Sequence, residues 1–395
     1  MSQSLIAAVG WSGASEGVRA GHDAVEAARS RLGSHRPHAA LVFGSSWFDQ
    51  AGLMEGIRQA LPEVPLIGAS TAGEILPEGP VSHSCVVVLV SSEGLTWSVG
   101  AGEPMHVHPR EAGQQAAYAA ARNFRASPRI GFILLGDGLA TQYAEMLRGI
   151  QEVVGTGSVI VGAMAGDDLR FTQTFQYANG QVFTHAVVGA LIGGEGKLGI
   201  GMEHGFAPIG KPRRISRATA NILIELDGQP AARIYEEYFG AEFVRRMREE
   251  GLTREAIAYP LGVQTNSHWL LRRVLALQDG ALVCSNELRE GAWTQFMIGS
   301  KESALEATQR ATQQALRALN RVALVLVFNS VIRRQLLGPQ LAAQEIAQIR
   351  QVIGPSVPLA GCYTYGEQAP VSTPASGPLG SVSQTGAVLI LALGA

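Results

Sequence analysis

The apolar positions of this sequence follow two rhythms, short continuous runs and residues spaced three to four apart. Continuous runs occur at 39–46 (AALVFGSS), 130–138 (IGFILLGDG) and 322–330 (VALVLVFNS), each ending in small or polar residues. Their length and enrichment in branched side chains predict buried strands. After each run the spacing changes to that of one buried helix face: Leu53, Ile57 and Leu61, then Met146, Ile150 and Val153, then Ile346, Ile349 and Val352. A second helical stretch precedes each run, carrying Val18, Val25 and Leu32, then Ala112, Ala116 and Phe124, then Leu305, Leu316 and Leu319. One more apolar run closes each pattern, at 85–90, 186–192 and 387–393.

Between the helix and the closing strand lies a Gly-rich segment. Residues 65–74 (PLIGASTAGE) and 358–367 (PLAGCYTYGE) are identical at six of ten positions, and 159–168 (VIVGAMAGDD) is a looser copy. A repeat of this kind organises the whole reading. It predicts an α/β protein of three β-α-β-α-β-β repeats at about 5–92, 95–193 and 295–395, forming mixed, largely parallel sheets, with a β-rich insertion before the third repeat. Within the second unit, Asn179-Gly180 between apolar runs predicts a hairpin. In the insertion, 222–226 with Asp227-Gly228, and 270–277 with Asp279-Gly280 and 281–284, predict further antiparallel hairpins, while 230–250 reads as helix broken at Gly240. The third unit is expected to end in a Pro/Ser/Gly loop at 370–380 before its last strand.

Composition narrows the class without naming an activity. The chain of 395 residues is 46% apolar and 16% charged, with a net charge of −2, so no basic footprint points to nucleic acid or an anionic membrane. No apolar run approaches the ~18 residues of a spanning helix, and MSQSLIAAVGW lacks a positive leader region, which predicts a cytoplasmic protein. Cys85, Cys284 and Cys362 are too scattered for a disulfide framework or a Cys-x-x-Cys metal site.

Chemistry-bearing motifs have competing plain readings. Gly13-Ala-Ser-Glu-Gly17 matches the pattern of a nucleophile elbow and makes Ser15 a hydrolase candidate, against a helix cap by Ser12 or Ser15. Gly194-Glu-Gly-Lys-Leu-Gly199 matches G-x-G-x-x-G, but no helical periodicity follows, so a turn is expected rather than a dinucleotide site. His106 and His108 lie between prolines, as in a solvated loop. The Gly-rich segments carry two readings of equal standing. Their hydroxyls and carboxylates are turn chemistry, or they hold a small zwitterion, whose carboxylate takes backbone N–H groups and hydroxyls while its ammonium takes Glu74 or Glu367. Ser70, Thr71, Gly73, Glu74, Asp137, Asp167, Thr364, Tyr365 and Glu367 are the resulting site candidates. Arg333 and Arg334 are alternative carboxylate anchors through bidentate pairing.

These residues carry a resemblance. Gly68-Ala-Ser-Thr-Ala-Gly-Glu-Ile75, Gly136-Asp-Gly138, 162–168, His204-Gly-Phe-Ala-Pro-Ile-Gly210, Leu226-Asp-Gly-Gln-Pro-Ala231, Pro260-Leu-Gly-Val263 and Tyr363-Thr-Tyr-Gly-Glu367 together resemble the FIST family over nearly the whole chain. The resemblance implies an N-terminal FIST domain at 1–215 and a C-terminal one at 216–395. It also implies a non-enzymatic sensory module for small ligands, amino acids among them, that signals to a separate partner such as a histidine kinase. Relatives often carry a Cys-containing segment and a His-Asn pair where this chain has Phe328-Asn-Ser-Val331 and Val382-Ser-Gln-Thr385. A subset resembles haem-binding nitric oxide sensors; that reading implies non-covalent haem, with His204 or His185 as axial ligand.

Overall fold

The computed structural model describes residues 5–126, 128–155, 157–250, 259–265, 268–373 and 377–395. Three six-stranded sheets and a separate β-rich lobe account for the strands. In the first unit, Ile6–Ser12 pairs with the closing strand Cys85–Ser91, which pairs with Ala39–Ser45, which pairs with Leu66–Thr71. The second unit repeats this order with Leu95–Gly102, Val187–Gly194, Arg129–Gly136 and Ile160–Met164, and the third with Lys197–Glu203, Val388–Gly394, Val322–Ser330 and Leu359–Thr364.

The α/β class and the threefold repeat are as expected, with three differences in detail. First, the third unit begins at Lys197–Glu203, so the insertion lies inside that unit, between its first strand and the helix Lys301–Leu316. A signal for this strand is present. Gly10, Gly100 and Gly201 sit at matching places, where a Cβ would come within 2.2, 2.1 and 1.9 Å of the carbonyl oxygens of Ala24, Ala116 and Ala311. Each unit packs its first helix directly on its first strand, and alanine stripes such as Ala304, Ala307, Ala311 and Ala315 line the contact. Second, each six-stranded sheet holds one parallel pair, formed where a helix crosses over between the central strands; the closing strand enters antiparallel between the first and the central strand. The sheets are therefore mixed and less parallel than strand-helix-strand order predicts.

Third, every unit adds a short hairpin after its Gly-rich segment, and the hairpins are exchanged in a ring. Glu74–Leu76 and Gly79–Val81 complete the sheet of the third unit, Gln176–Ala178 and Gln181–Phe183 that of the first, and Gly366–Thr373 and Gly377–Gln384 that of the second. Strands thus run to Thr373 and from Gly377 where a loop over 370–380 was expected; 374–376 lie outside the described residues. The inner faces of the three sheets share one apolar core, in which Phe43 and Phe328 meet edge to face at 5.8 Å. The helices Gly17–Leu32 and Gln50–Ala60, Pro109–Ala121 and Tyr143–Val154, and Lys301–Leu316 and Val331–Ile353 cover the outer faces.

The insertion forms the expected hairpins around an aromatic cluster of Tyr235, Phe239, Phe243 and Phe296. Its helices begin later than the sequence implied, at Arg233–Phe239 and Ala241–Glu250, because Pro230 is drawn into a bridge with Glu225. Residues 195 and 196 form the turn between Val187–Gly194 and Lys197–Glu203, as read from the sequence.

Candidate functional site

The two matching Gly-rich segments close in the same way. Thr71 Oγ1 donates to Glu74 Oε1 at 2.5 Å, and the Ser84 hydroxyl and amide donate to Glu74 Oε2 at 2.6 and 3.2 Å. In the third unit Thr364 Oγ1 donates to Glu367 Oε1 at 2.6 Å, and the Ala387 amide donates to Oε2 at 3.1 Å. Each carboxyl therefore ties its turn to the start of the closing strand. Both are fully buried. Burial pushes Glu74 up to about 7 and Glu367 up to about 8, against the lowering effect of their hydrogen-bond donors.

In the second unit this place belongs to Gln176, whose Oε1 accepts from the Ala186 amide at 3.1 Å and whose Nε2 donates to Thr174 Oγ1 at 3.0 Å. Asp167 and Asp168, which the sequence aligns with Gly-Glu, lie instead on a longer loop. Asp167 accepts the amides of Phe171, Thr172 and Gln173, and Asp168 accepts the hydroxyls of Ser45 and Ser46. Asp168, Leu169 and Phe171 adopt left-handed φ of 55°, 64° and 53°. Such values are uncommon for side-chain-bearing residues and persist where surrounding contacts over-determine them.

The three segments meet one another. Ser70 Oγ donates to Gly166 O at 2.7 Å and accepts from the Phe175 amide at 2.9 Å. Ala72 N donates to Tyr363 O, and Tyr363 N to Gly73 O. Tyr365 OH donates to Asp167 Oδ1 at 2.5 Å and accepts from the Leu169 amide at 2.9 Å, while its ring stacks on Phe171. The fold thus gathers Ser70, Thr71, Gly73, Glu74, Asp167, Thr364, Tyr365 and Glu367 at one junction. Asp137 faces a different group of partners there, accepting from Thr174 Oγ1 at 2.7 Å and lying 3.1 Å from His185 Nδ1.

Arg333 is fully buried, with its donors committed to the protein itself. Its guanidinium pairs with Glu345 at 2.5 Å and donates to Asn329, Thr308 and the carbonyls of His204 and Ala304. Arg334, one residue on, reaches the junction. It donates to Ala72 O at 2.7 Å and Ser82 Oγ at 2.9 Å, and lies 4.8 Å from the centre of the Tyr363 ring. It is half-buried and lines a cavity of about 440 Å³ with Glu78, Pro80, Leu169, Gln335 and Ala342. The far wall comes from the kink at Gly338-Pro339 in the helix Val331–Ile353. Glu78 was not among the sequence candidates. Its signal was Pro77-Glu-Gly79, a turn sequence directly after the first Gly-Glu segment.

Neither histidine singled out offers what haem requires. His204 Nδ1 accepts from the Phe206 amide at 2.9 Å, which makes Nε2 the N–H that bonds Trp269 O at 3.2 Å. No lone pair is left for iron, and burial holds this imidazole down at about 4. His185 packs against His106 at 4.4 Å with its side chain about half exposed, which is a surface pair rather than an apolar slot for a macrocycle. Among the described residues no group of three or more His, Cys, Asp or Glu is arranged for a metal ion. Ser15 follows a strand and precedes a helix as expected, but it is exposed, and no side chain among the described residues hydrogen-bonds its hydroxyl.

Three α/β units that exchange hairpins in a ring, with their Gly-rich turns meeting at one junction and a cavity beside it at Arg334, define the class of scaffold. The chain belongs to the FIST family: the FIST N domain matches residues 38–229 and the FIST C domain residues 231–370. Domains of this family are sensory domains for small ligands in signalling. An uncharacterized protein of Mycobacterium tuberculosis is 24% identical over 92% of this chain and 94% of its own length. An uncharacterized protein of Methanocaldococcus jannaschii is 23% identical over 62% of this chain, and the match spans about half, 50%, of that protein. Among solved structures, cyanuric acid hydrolase from A. caulinodans aligns with 99% of this chain and 100% of its own at 10% identity, with a TM-score of 0.37. At that score the likeness carries no argument. No helix among the described residues is long and apolar enough to cross a membrane.

Proposed function

We propose that this protein is a sensor of a small zwitterionic metabolite, of the amino-acid class, which binds beside Arg334 and reports to a separate signalling protein. The observation that carries the reading is the cavity of about 440 Å³ with the Arg334 guanidinium and the Glu78 carboxylate on its wall. A ligand carboxylate pairs with the guanidinium through its unused donors, because Ala72, Ser82 and the Tyr363 ring already fix its orientation. The ligand ammonium pairs with Glu78, and Leu169 and Ala342 receive its apolar part.

In this reading Glu74 and Glu367 are positioning residues. They hold the turns that carry Ala72, Gly73 and Tyr363, and their own oxygens are occupied by protein donors. The strained loop carrying Leu169 supplies the reporting step, since it touches the cavity on one side and the Tyr365–Asp167 bond on the other. The output partner is a cytoplasmic signalling protein, for which a histidine kinase is the favoured class. The family's role in signalling supports that choice.

The test is a thermal-shift screen of the full chain against the common amino acids and small organic acids, repeated with Arg334→Met and Glu78→Gln. A ligand at a hundred times its dissociation constant adds ~2.7 kcal/mol to stability, enough to move the midpoint by several degrees. The expected result is a shift with one amino-acid class that both substitutions abolish. Shifts that survive both would remove the ligand from this cavity.

A further inference from the structure

Three arginines are buried among the described residues, and they differ in how their donors are used. Arg333 has Glu345 and four further acceptors. Arg272 donates to the carbonyls of Glu287, Leu271 and Ser383. Arg273, only 6% exposed, makes no side-chain hydrogen bond and no ion pair with any described residue, and its Nε is sealed from solvent without a partner. A guanidinium carries five N–H donors and stays charged, so burying one without acceptors is costly, and structures rarely keep it without a reason.

The surroundings of Arg273 locate the reason. It lies between the insertion strands Trp269–Arg272 and Val274–Gln278, and its backbone is fixed by Ser285, whose amide donates to Arg273 O and whose hydroxyl accepts from Arg273 N. The titratable groups that face it all come from the three-unit body: the phenols of Tyr143 and Tyr365 and the carboxyl of Glu367. Each is committed elsewhere. Tyr143 OH donates to Gly138 O, Tyr365 OH to Asp167, and Glu367 accepts from Thr364 and Ala387. Burial also raises Glu367 to about 8, which weakens it as a counter-ion for the guanidinium. Two buried acceptors nearby in sequence to these groups, Asn286 Oδ1 and Gln368 Oε1, lack partners as well.

We infer that Arg273 is the anchor of a second binding site, for a small oxyanion of the carboxylate or phosphate type, enclosed where the insertion packs on the second and third units. Such an anion accepts two parallel N–H groups of the guanidinium, which is the geometry that arginine offers and lysine does not. It supplies acceptors to the one arginine, among the three buried ones of the described residues, whose side chain has none, and joins the insertion, through Arg273, to Tyr143 and Tyr365. Contacts already hold the two bodies in register there. Leu271 N donates to Gln384 Oε1 at 2.7 Å, and Arg148 of the second unit pairs with Glu287 of the insertion at 2.8 Å. The site is separate from the cavity at Arg334, so its failure leaves that reading standing, and the reverse.

The experiment compares the full chain with Arg273→Met in a buffer free of carboxylate and phosphate, adding inorganic phosphate or acetate at millimolar concentration. Two results are expected. One or other anion raises the unfolding midpoint of the unsubstituted chain by several degrees and leaves that of Arg273→Met unmoved, and the anion that acts identifies the chemistry. Without anion, Arg273→Met unfolds at the same temperature as the unsubstituted chain or a higher one, because it removes a buried guanidinium without acceptors. The inference is overturned if neither anion shifts the unsubstituted chain, if the substituted chain shifts equally, or if Arg273→Met is markedly less stable in anion-free buffer. Arg334→Met, run alongside, is expected to keep the response.

Discussion

Arg333 and Arg334 are adjacent in sequence and opposite in employment. Successive helical positions point about 100° apart. The first residue therefore turns inward to Glu345, Asn329 and Thr308, and the second turns toward Ala72, Ser82 and the cavity. A buried guanidinium with its counter-ion is part of the architecture; a half-buried one with donors to spare is available to a ligand. Charge and residue type alone do not separate the two, whereas the partners each has already found do.

The comparison breaks most visibly at Arg333. Replacing it by Met leaves Glu345 buried without its counter-ion and should cost ~3–5 kcal/mol in urea unfolding. Adding Glu345→Met should recover most of that loss, since removing both partners leaves no stranded charge. A loss under about 1 kcal/mol for the single substitution would place Arg333 with the surface arginines instead.

The next effect is a pH dependence set by Glu74 and Glu367, lifted by burial from 4.5 to about 7 and about 8. The folded state holds these protons more tightly than the unfolded chain. Stability from them is therefore fully present below about pH 4.5 and declines as pH rises through 7 and 8. A displacement from 4.5 to about 7 corresponds to ~3 kcal/mol for Glu74 alone. Glu74→Gln and Glu367→Gln should flatten the slope between pH 5 and 8 while keeping the fold. Gln176 already occupies the matching place in the second unit with an equivalent pair of bonds. Denaturant midpoints across that pH range decide it; an unchanged slope in both would remove the buried acids as its source.

Much of this architecture was legible in the sequence and some was hidden for definable reasons. The threefold repeat and the hairpins at Asn179-Gly180, Asp227-Gly228 and Asp279-Gly280 show in local periodicity and turn chemistry. The first strand of the third unit stayed hidden because nearly a hundred residues separate it from its helix, and only the recurrent glycine under that helix betrays it. Exchange of the hairpins between units is a long-range event with no local signature. Ser70, Thr71, Glu74, Tyr365 and Glu367 stand out in the sequence because a repeated motif marks them, and the fold brings them to one junction. Asp167 was aligned with the wrong partner because the second unit lengthens its turn before reaching Gln176. Arg333 was read as an anchor because the sequence does not display Glu345 beside it.

A smaller effect is expected at Ser84. Its hydroxyl is one of two donors to Glu74 Oε2, so Ser84→Ala should cost about 1–2 kcal/mol in the same unfolding assay, with the amide still in place. The smallest stability change is expected at Arg334→Met, ~1 kcal/mol for two hydrogen bonds at a half-buried site. That small cost is what makes this variant the decisive one, because a folded protein remains in which to look for binding.

The measurement that bears most directly on the account is calorimetric titration of the unsubstituted chain and of Arg334→Met with whichever amino acid first raises the unfolding midpoint. A single saturable site is expected in the unsubstituted chain and none in Arg334→Met, which remains folded. Equal affinity in the two would contradict it, and would move the ligand away from the junction of the Gly-rich turns.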